Sequence, residues 1–138
     1  MKNKNFVFDT NSLISALLIP SSISRQALNK AITAGNLIFS EENLSELNKV
    51  LIRSKFDKYI KLGERMEFIE RLETEGMIIK PKSSFTDCRD TDDNKFLNLA
   101  YDSKALCIVT GDDDLLVLSP FRSIKIITPA NFLNNFNL

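Results

Sequence analysis

The chain has no histidine and no tryptophan, and only two cysteines among its 138 residues. Without histidine there is no Ser-His-Asp triad, no Cys-His pair and no His-containing zinc site. Acid–base chemistry is left to carboxylates, lysine, tyrosine or metal-bound water. Cys88 and Cys107 show no metal-ligand spacing; Cys107 lies in an apolar run and Cys88 beside a loop. They read as reduced thiols of a cytoplasmic protein. No apolar run approaches the roughly 18 residues that a membrane span needs. The first ten residues hold two lysines but no apolar core of signal-peptide length before Asp9. Lys plus Arg and Asp plus Glu both number 18, so the net charge is zero. Nothing draws a polyanion to the surface as a whole, and one would have to be held by local cations or a metal. Glycine and proline are sparse, with four of each, and no linker, repeat or low-complexity tract interrupts the chain. With 43% hydrophobic residues and ten Phe, residues 1–138 are expected to form a single domain around a substantial core.

What is present alternates. The apolar runs Phe6–Phe8, Leu37–Phe39, Met77–Ile79, Leu106–Val109 and Ile124–Ile127 read as buried strands. Helical patterns separate them. One starts near Leu13, and one spans Ile23–Ala34 with Ala27, Leu28, Ala31 and Ile32 on a face. Another follows Ser40, with Leu44, Leu47, Val50 and Leu51 on a face. Further helical stretches cover Arg53–Glu75, Asp93–Tyr101 and Asp113–Leu118, and a last helix starts at Pro129. Strands alternating with helices predict an α/β three-layer doubly wound sandwich with a five-stranded parallel sheet. A doubly wound order such as 3-2-1-4-5 places strands 1 and 4 side by side where the connections reverse direction, and ligands bind at such a switch point.

Carboxylates collect at those strand ends. Asp9 follows strand 1, Asp90, Asp92 and Asp93 precede a helix, and Asp112, Asp113 and Asp114 follow Thr110-Gly111 at the end of strand 4. Asp9 reads equally as a helix N-cap or as a site residue, with Asn11 or Ser12 able to cap in its place. Three acids before one helix exceed what capping needs. Two carboxylates about 4 Å apart repel by roughly 4 kcal/mol at an effective dielectric near 20, and a bound dication removes that cost. Magnesium fits better than calcium or zinc, because it takes hard oxygen ligands, keeps several waters and needs only a few protein carboxylates. An EF-hand is rejected because Lys95 stands where the turn glycine belongs and Tyr101 where the terminal Glu belongs. A haloacid-dehalogenase-type phosphatase would require an Asp where Asn11 stands.

Laid out in this way, FVFDTNSLISAL, LSELNKVL, CRDTDDNKFLNLA, CIVTGDDDLL and the closing IITPANFL resemble the PIN-domain family of metal-dependent nucleases. They look most like its prokaryotic subgroup of toxin–antitoxin toxins. The resemblance places the family's acidic positions on Asp9, Glu46, Asp93 and Asp112, with Asp114 as an occasional fifth. Asn11, Ser12 and Thr110 support them, and Asp90 and Asp92 stand close enough to share the role given to Asp93. Thr91 replaces a proline common in the loop, and Asn131 an acidic residue in the last helix; neither touches the site.

On this resemblance Asp9, Asp93 and Asp112, with Asp114, would hold one or two Mg²⁺ or Mn²⁺ ions. Glu46 would ligate a metal or orient the attacking water. The implied substrate is single-stranded RNA. Its backbone would be gripped by Lys49, Arg53 and Lys55 on the helix carrying Glu46, with Lys58 and Arg89 as further cations. The subgroup implies an antitoxin protein as partner. The aliphatics of Leu13–Ile19 would line either a homodimer interface or the core. The competing expectation is a weakly active or inactive module of the same fold that acts through protein or RNA binding.

Overall fold

A computed structural model describes residues 4–137. Its strands are β1 (Asn5–Phe8), β2 (Asn36–Phe39), β3 (Met77–Ile78), β4 (Cys107–Val109) and β5 (Lys125–Ile127). They form one sheet in the order β3-β2-β1-β4-β5, with every strand pairing parallel, as the alternation of elements predicts.

Phe6–Phe8, Leu37–Phe39 and Cys107–Val109 are buried because both faces of the central sheet are covered, whereas the edge strand β3, expected to be buried, is exposed at Met77 and Ile78. Phe6, Phe8, Leu37, Phe39, Cys107 and Val109 point to one layer. It is built from α1 (Thr10–Leu18), α2 (Ile23–Ala34), α3 (Glu41–Leu51), α4 (Leu62–Glu75) and α7 (Pro129–Asn135). Their neighbours Val7, Ile38, Ile108 and Ile126 point to the other layer, formed by α5 (Asn94–Asp102) and α6 (Asp113–Leu116). Period-2 alternation in each strand thus sorts one apolar run into two cores. Phe132 of α7 closes the first layer, edge-on to Phe6 at 5.4 Å and to Phe8 at 6.1 Å between ring centroids. The Leu13–Ile19 aliphatics belong to this core: Leu13, Ile14, Ala16 and Leu17 are buried, while Ile19 is exposed. Among the described residues no helix is long and apolar enough to cross a membrane.

Three helix starts carry side-chain caps. Ser22, Ser40 and Thr128 each accept a hydrogen bond from the backbone N–H three residues on, at 3.1 Å. The Arg53–Glu75 stretch departs from expectation, because it is not one helical run. Helix α3 ends at Leu51, a 3₁₀ turn covers Ser54–Phe56, and α4 begins only at Leu62. The cause is Arg65, which is fully buried. Its Nη1 donates to the carbonyls of Leu51 at 2.7 Å and Arg53 at 3.1 Å, and its Nη2 pairs with Asp57. Helix α4 thereby holds the open end of α3 in a turn. Arg53 and Lys55 consequently lie beyond the helix that carries Glu46, not on it.

Candidate metal centre

The sheet order makes β1 and β4 neighbours, so the residues that leave them face one another. The pairing continues past both strands: the N–H of Asp9 donates to the carbonyl of Val109 at 3.1 Å. Thr110, fully buried, then ties the two ends together. Its hydroxyl donates to Asp9 Oδ2 at 2.5 Å and accepts from the N–H of Asp112 at 3.0 Å. Asp9 is itself the N-cap of α1, accepting from the N–H of Ser12 at 2.9 Å. The cap is therefore Asp9 rather than Asn11 or Ser12, and capping does not remove it from the crevice. Ser12 is buried against it, whereas Asn11 is exposed on the first turn. Burial pushes the Asp9 carboxyl above its usual range, and the charge of Asp112 adds to this. The hydrogen bonds from Ser12 and Thr110 pull the other way.

Asp93 has a different environment. It precedes α5 but its side chain caps nothing. The helix therefore begins at Asn94, after a 3₁₀ turn over Thr91–Asp93 that Asp90 caps through the N–H of Asp92 at 3.1 Å. Asp93 Oδ2 is buried with no hydrogen-bond partner. Desolvation, a carboxyl–carboxyl hydrogen bond with Asp112, and the charges of Asp112, Asp90 and Asp9 push its pKa up to about 7. One carboxylate oxygen each from Asp90, Asp93 and Asp112 lies within 4.8 Å of the others. A group of three carboxylates, one of them with an unpartnered buried oxygen, is short of positive charge, and a divalent cation would supply it. The donors are all oxygen. The nearby thiol of Cys88 is held protonated by burial, and by the charges of Asp93, Asp112 and Asp114. A hard cation fits this set and a thiophilic one does not.

Asp114 points elsewhere. Its N–H donates to Asp112 Oδ1 at 2.9 Å, which caps α6, and its carboxylate pairs with the exposed Arg89 at 3.1 Å. Glu46, half-buried on α3, is outside the group of three. Its Oε1 accepts from the hydroxyl of Thr10, and its Oε2 from Lys95 Nζ at 2.5 Å. Lys95 Nζ also donates to the carbonyl of Asp92 at 2.8 Å. Lys49, Arg53 and Lys55 are exposed. A groove of about 610 Å³ opens beside Lys95, with Ile78, Ile79, Lys80, Ser84 and Asn98 in its walls.

The loop that presents Asp90 is fastened to α5 at every fourth residue. Asn94 Oδ1 accepts from the N–H of Cys88 at 2.9 Å, and Asn98 Oδ1 from the N–H of Phe85 at 2.7 Å. Asp102 accepts from the N–H groups of Lys82 and Ser83 at 2.6 and 2.8 Å. Sequence reasoning missed this face, although the spacing 94, 98, 102 of short polar side chains on one helical stripe was there to find. It also passed over Lys95 as a site residue, although Lys95 is a cation two residues after Asp93 in the acidic loop.

A family profile described as PIN domain matches residues 5–114. The chain is 35% identical to the uncharacterized protein MJ1680 of Methanocaldococcus jannaschii, over 94% of this chain and 90% of that one. Its fold resembles the crystal structure of PAE2754 from Pyrobaculum aerophilum. That match has a TM-score of 0.60 at 12% identity, covering 95% of this chain and 88% of the other.

Proposed function

This chain belongs to the PIN-domain family, and from that premise we propose that it is a Mg²⁺- or Mn²⁺-dependent endoribonuclease. On this reading it hydrolyses phosphodiester bonds in single-stranded RNA, in the cytoplasm, as the toxin of a toxin–antitoxin pair. The coarser part rests on the family itself, since PIN domains are metal-dependent nucleases that bind divalent ions. The observation that carries the reading is the buried, unpartnered Asp93 oxygen, within reach of carboxylates from Asp112 and Asp90.

In the proposed roles, Asp93 and Asp112 hold the cation with Asp90. Asp9 stands behind them, its orientation set by Ser12 and Thr110. When bound, the cation acidifies a water and offsets charge that builds on the scissile phosphate. Glu46 orients that water from its fixed position on α3. The groove beside Lys95 gives a single strand a path away from the carboxylates. Its exposed Ile78 offers an apolar surface for a base, and Lys80 a cation for the backbone. Arg89, at the rim next to Asp114, and Lys49, Arg53 and Lys55 further along α3 and its turn, supply additional positive charge.

The test is incubation of the purified protein with labelled RNA pools in Mn²⁺ and in EDTA, beside Asp93→Asn and Asp112→Asn. Cleavage in Mn²⁺ by the wild type alone supports the reading. Metal-independent cleavage, or equal cleavage by the two variants, refutes it. RNA retained without cleavage identifies a binding module. Co-purification with the product of an adjacent reading frame, which restrains the cleavage, tests the antitoxin.

A further inference from the structure

We propose that Lys95 is a positioning residue that keeps Glu46 out of the cation's ligand set. The inference rests on the metal-dependent reading above. Both Glu46 oxygens are already committed to the protein. Oε1 takes the hydroxyl hydrogen of Thr10, a buried residue at the start of α1, and Oε2 takes the Lys95 ammonium at 2.5 Å. The Lys95 side chain is only 11% exposed and the Glu46 side chain 35%. This is a charge-assisted, largely desolvated contact rather than a surface ion pair. The same ammonium donates to the carbonyl of Asp92 at 2.8 Å, inside the turn that presents Asp90 and Asp93. Lys95 therefore joins α3 to the acidic turn while standing between Glu46 and that turn.

A free carboxylate on α3 would be drawn toward a dication held by Asp90, Asp93 and Asp112. Here the move would strip the partner from a half-buried ammonium and from a buried hydroxyl at once. Leaving a buried charge unpaired is the costly outcome, so Glu46 stays on Lys95 and Thr10. Holding it back leaves a cation position open to water. This assigns Glu46 to orienting work and the ligand set to the three aspartates.

The experiment measures Mn²⁺ affinity calorimetrically, and the number of waters on bound Mn²⁺ by proton relaxation, in the full chain. Lys95→Met should free Glu46 to join the cation, tightening the Kd by about fivefold or more, because each added carboxylate raises cation affinity. It should also remove one water. Glu46→Gln added to Lys95→Met should restore both the wild-type affinity and the water count. Lys95→Arg, which keeps the pairing, should bind like the wild type, and thermal melts report that each variant is folded. A tighter Kd with no loss of water would be a through-space charge effect and overturns the proposal. An unchanged or weaker Kd in folded Lys95→Met overturns it as well. A wild type that binds no Mn²⁺ removes the metal-dependent reading and this inference with it, which separates the two failures.

Discussion

Replacing Asp93 by Asn should make the metal-free protein more stable, by an amount that depends on pH. The Asp93 carboxyl rises from 3.8 to about 7 in the folded chain, driven by desolvation and by Asp112, Asp90 and Asp9. Each pKa unit corresponds to about 1.4 kcal/mol, so roughly three units set a ceiling near 4 kcal/mol. Asp93 is only partly buried, and solvent screening reduces the realised penalty to about 1–2 kcal/mol. The sign follows from proton counts. Between pH 3.8 and about 7 the folded state holds a proton that the unfolded state has released. Stability from this group therefore falls as pH rises through that window, and is constant above it. An Asn at position 93 has no charge to desolvate, and its amide can donate to Asp112. In EDTA at pH 8 the variant should melt roughly 3–8 °C above the wild type, and at pH 5 the gain should shrink to about a third. Saturating Mn²⁺ should reverse the order. At a hundredfold over its Kd the ion adds about 2.7 kcal/mol to the wild type and little to the variant. Circular-dichroism melts at both pH values, with and without Mn²⁺, carry the test. An Asp93→Asn protein destabilised in EDTA at both pH values would show that the carboxylate serves the fold, and the argument for a cation there would fail.

Thr110→Val, a near-isosteric change, removes the hydroxyl that serves Asp9 and Asp112 together, leaving a buried acceptor and a donor unmet. A loss of about 1–3 kcal/mol in urea unfolding is expected, and a loss under 0.5 kcal/mol would show that the link between the strand ends is dispensable. Arg65→Leu should cost about 2–4 kcal/mol by stranding the carbonyls of Leu51 and Arg53. Asp57→Asn, which keeps an oxygen to accept from the buried Arg65, should cost less than Arg65→Leu, and equal losses in the two variants would mean that the ion pair, not the carbonyls, carries the turn. Asn98→Leu should release the loop at Phe85 while sparing the sheet. Hydrogen exchange at the Phe85 amide should then rise well before exchange in β1 and β4, and uniform exchange throughout would contradict a separately fastened loop.

The contrast between the two cores and the site shows which parts of this chain its sequence makes legible. A parallel sheet followed from elements that alternate and from apolar runs too short to be helices, because burial on both faces leaves an unbroken signature in Phe6–Phe8 and Leu37–Phe39, while the strand order came with the resemblance to the PIN-domain family. The boundaries failed where one side chain overrides local preference. A charged stretch from Arg53 to Glu75 has helical periodicity, yet Arg65 recruits the carbonyls of Leu51 and Arg53, and the helix ends. Nothing in residues 51–53 announces that, since the cause lies a dozen positions later. The site divides along the same line. That Asp9 and Asp112 approach each other follows from topology, and topology was readable. What each carboxylate does with its oxygens was not, because partners come from other elements. Asp9 both caps a helix and receives Thr110, so the choice between cap and site residue was a false one. Asp93, read as a helix start, is the carboxylate that caps nothing, and Asp90 takes the capping duty while keeping an oxygen for the group. Glu46 shows the limit most plainly: a family motif can mark a position as acidic, but only its contacts with Thr10 and Lys95 reveal that both oxygens are held. An acidic side chain near a cation site is a ligand only if it is free to turn, and that freedom is a property of its neighbours in space.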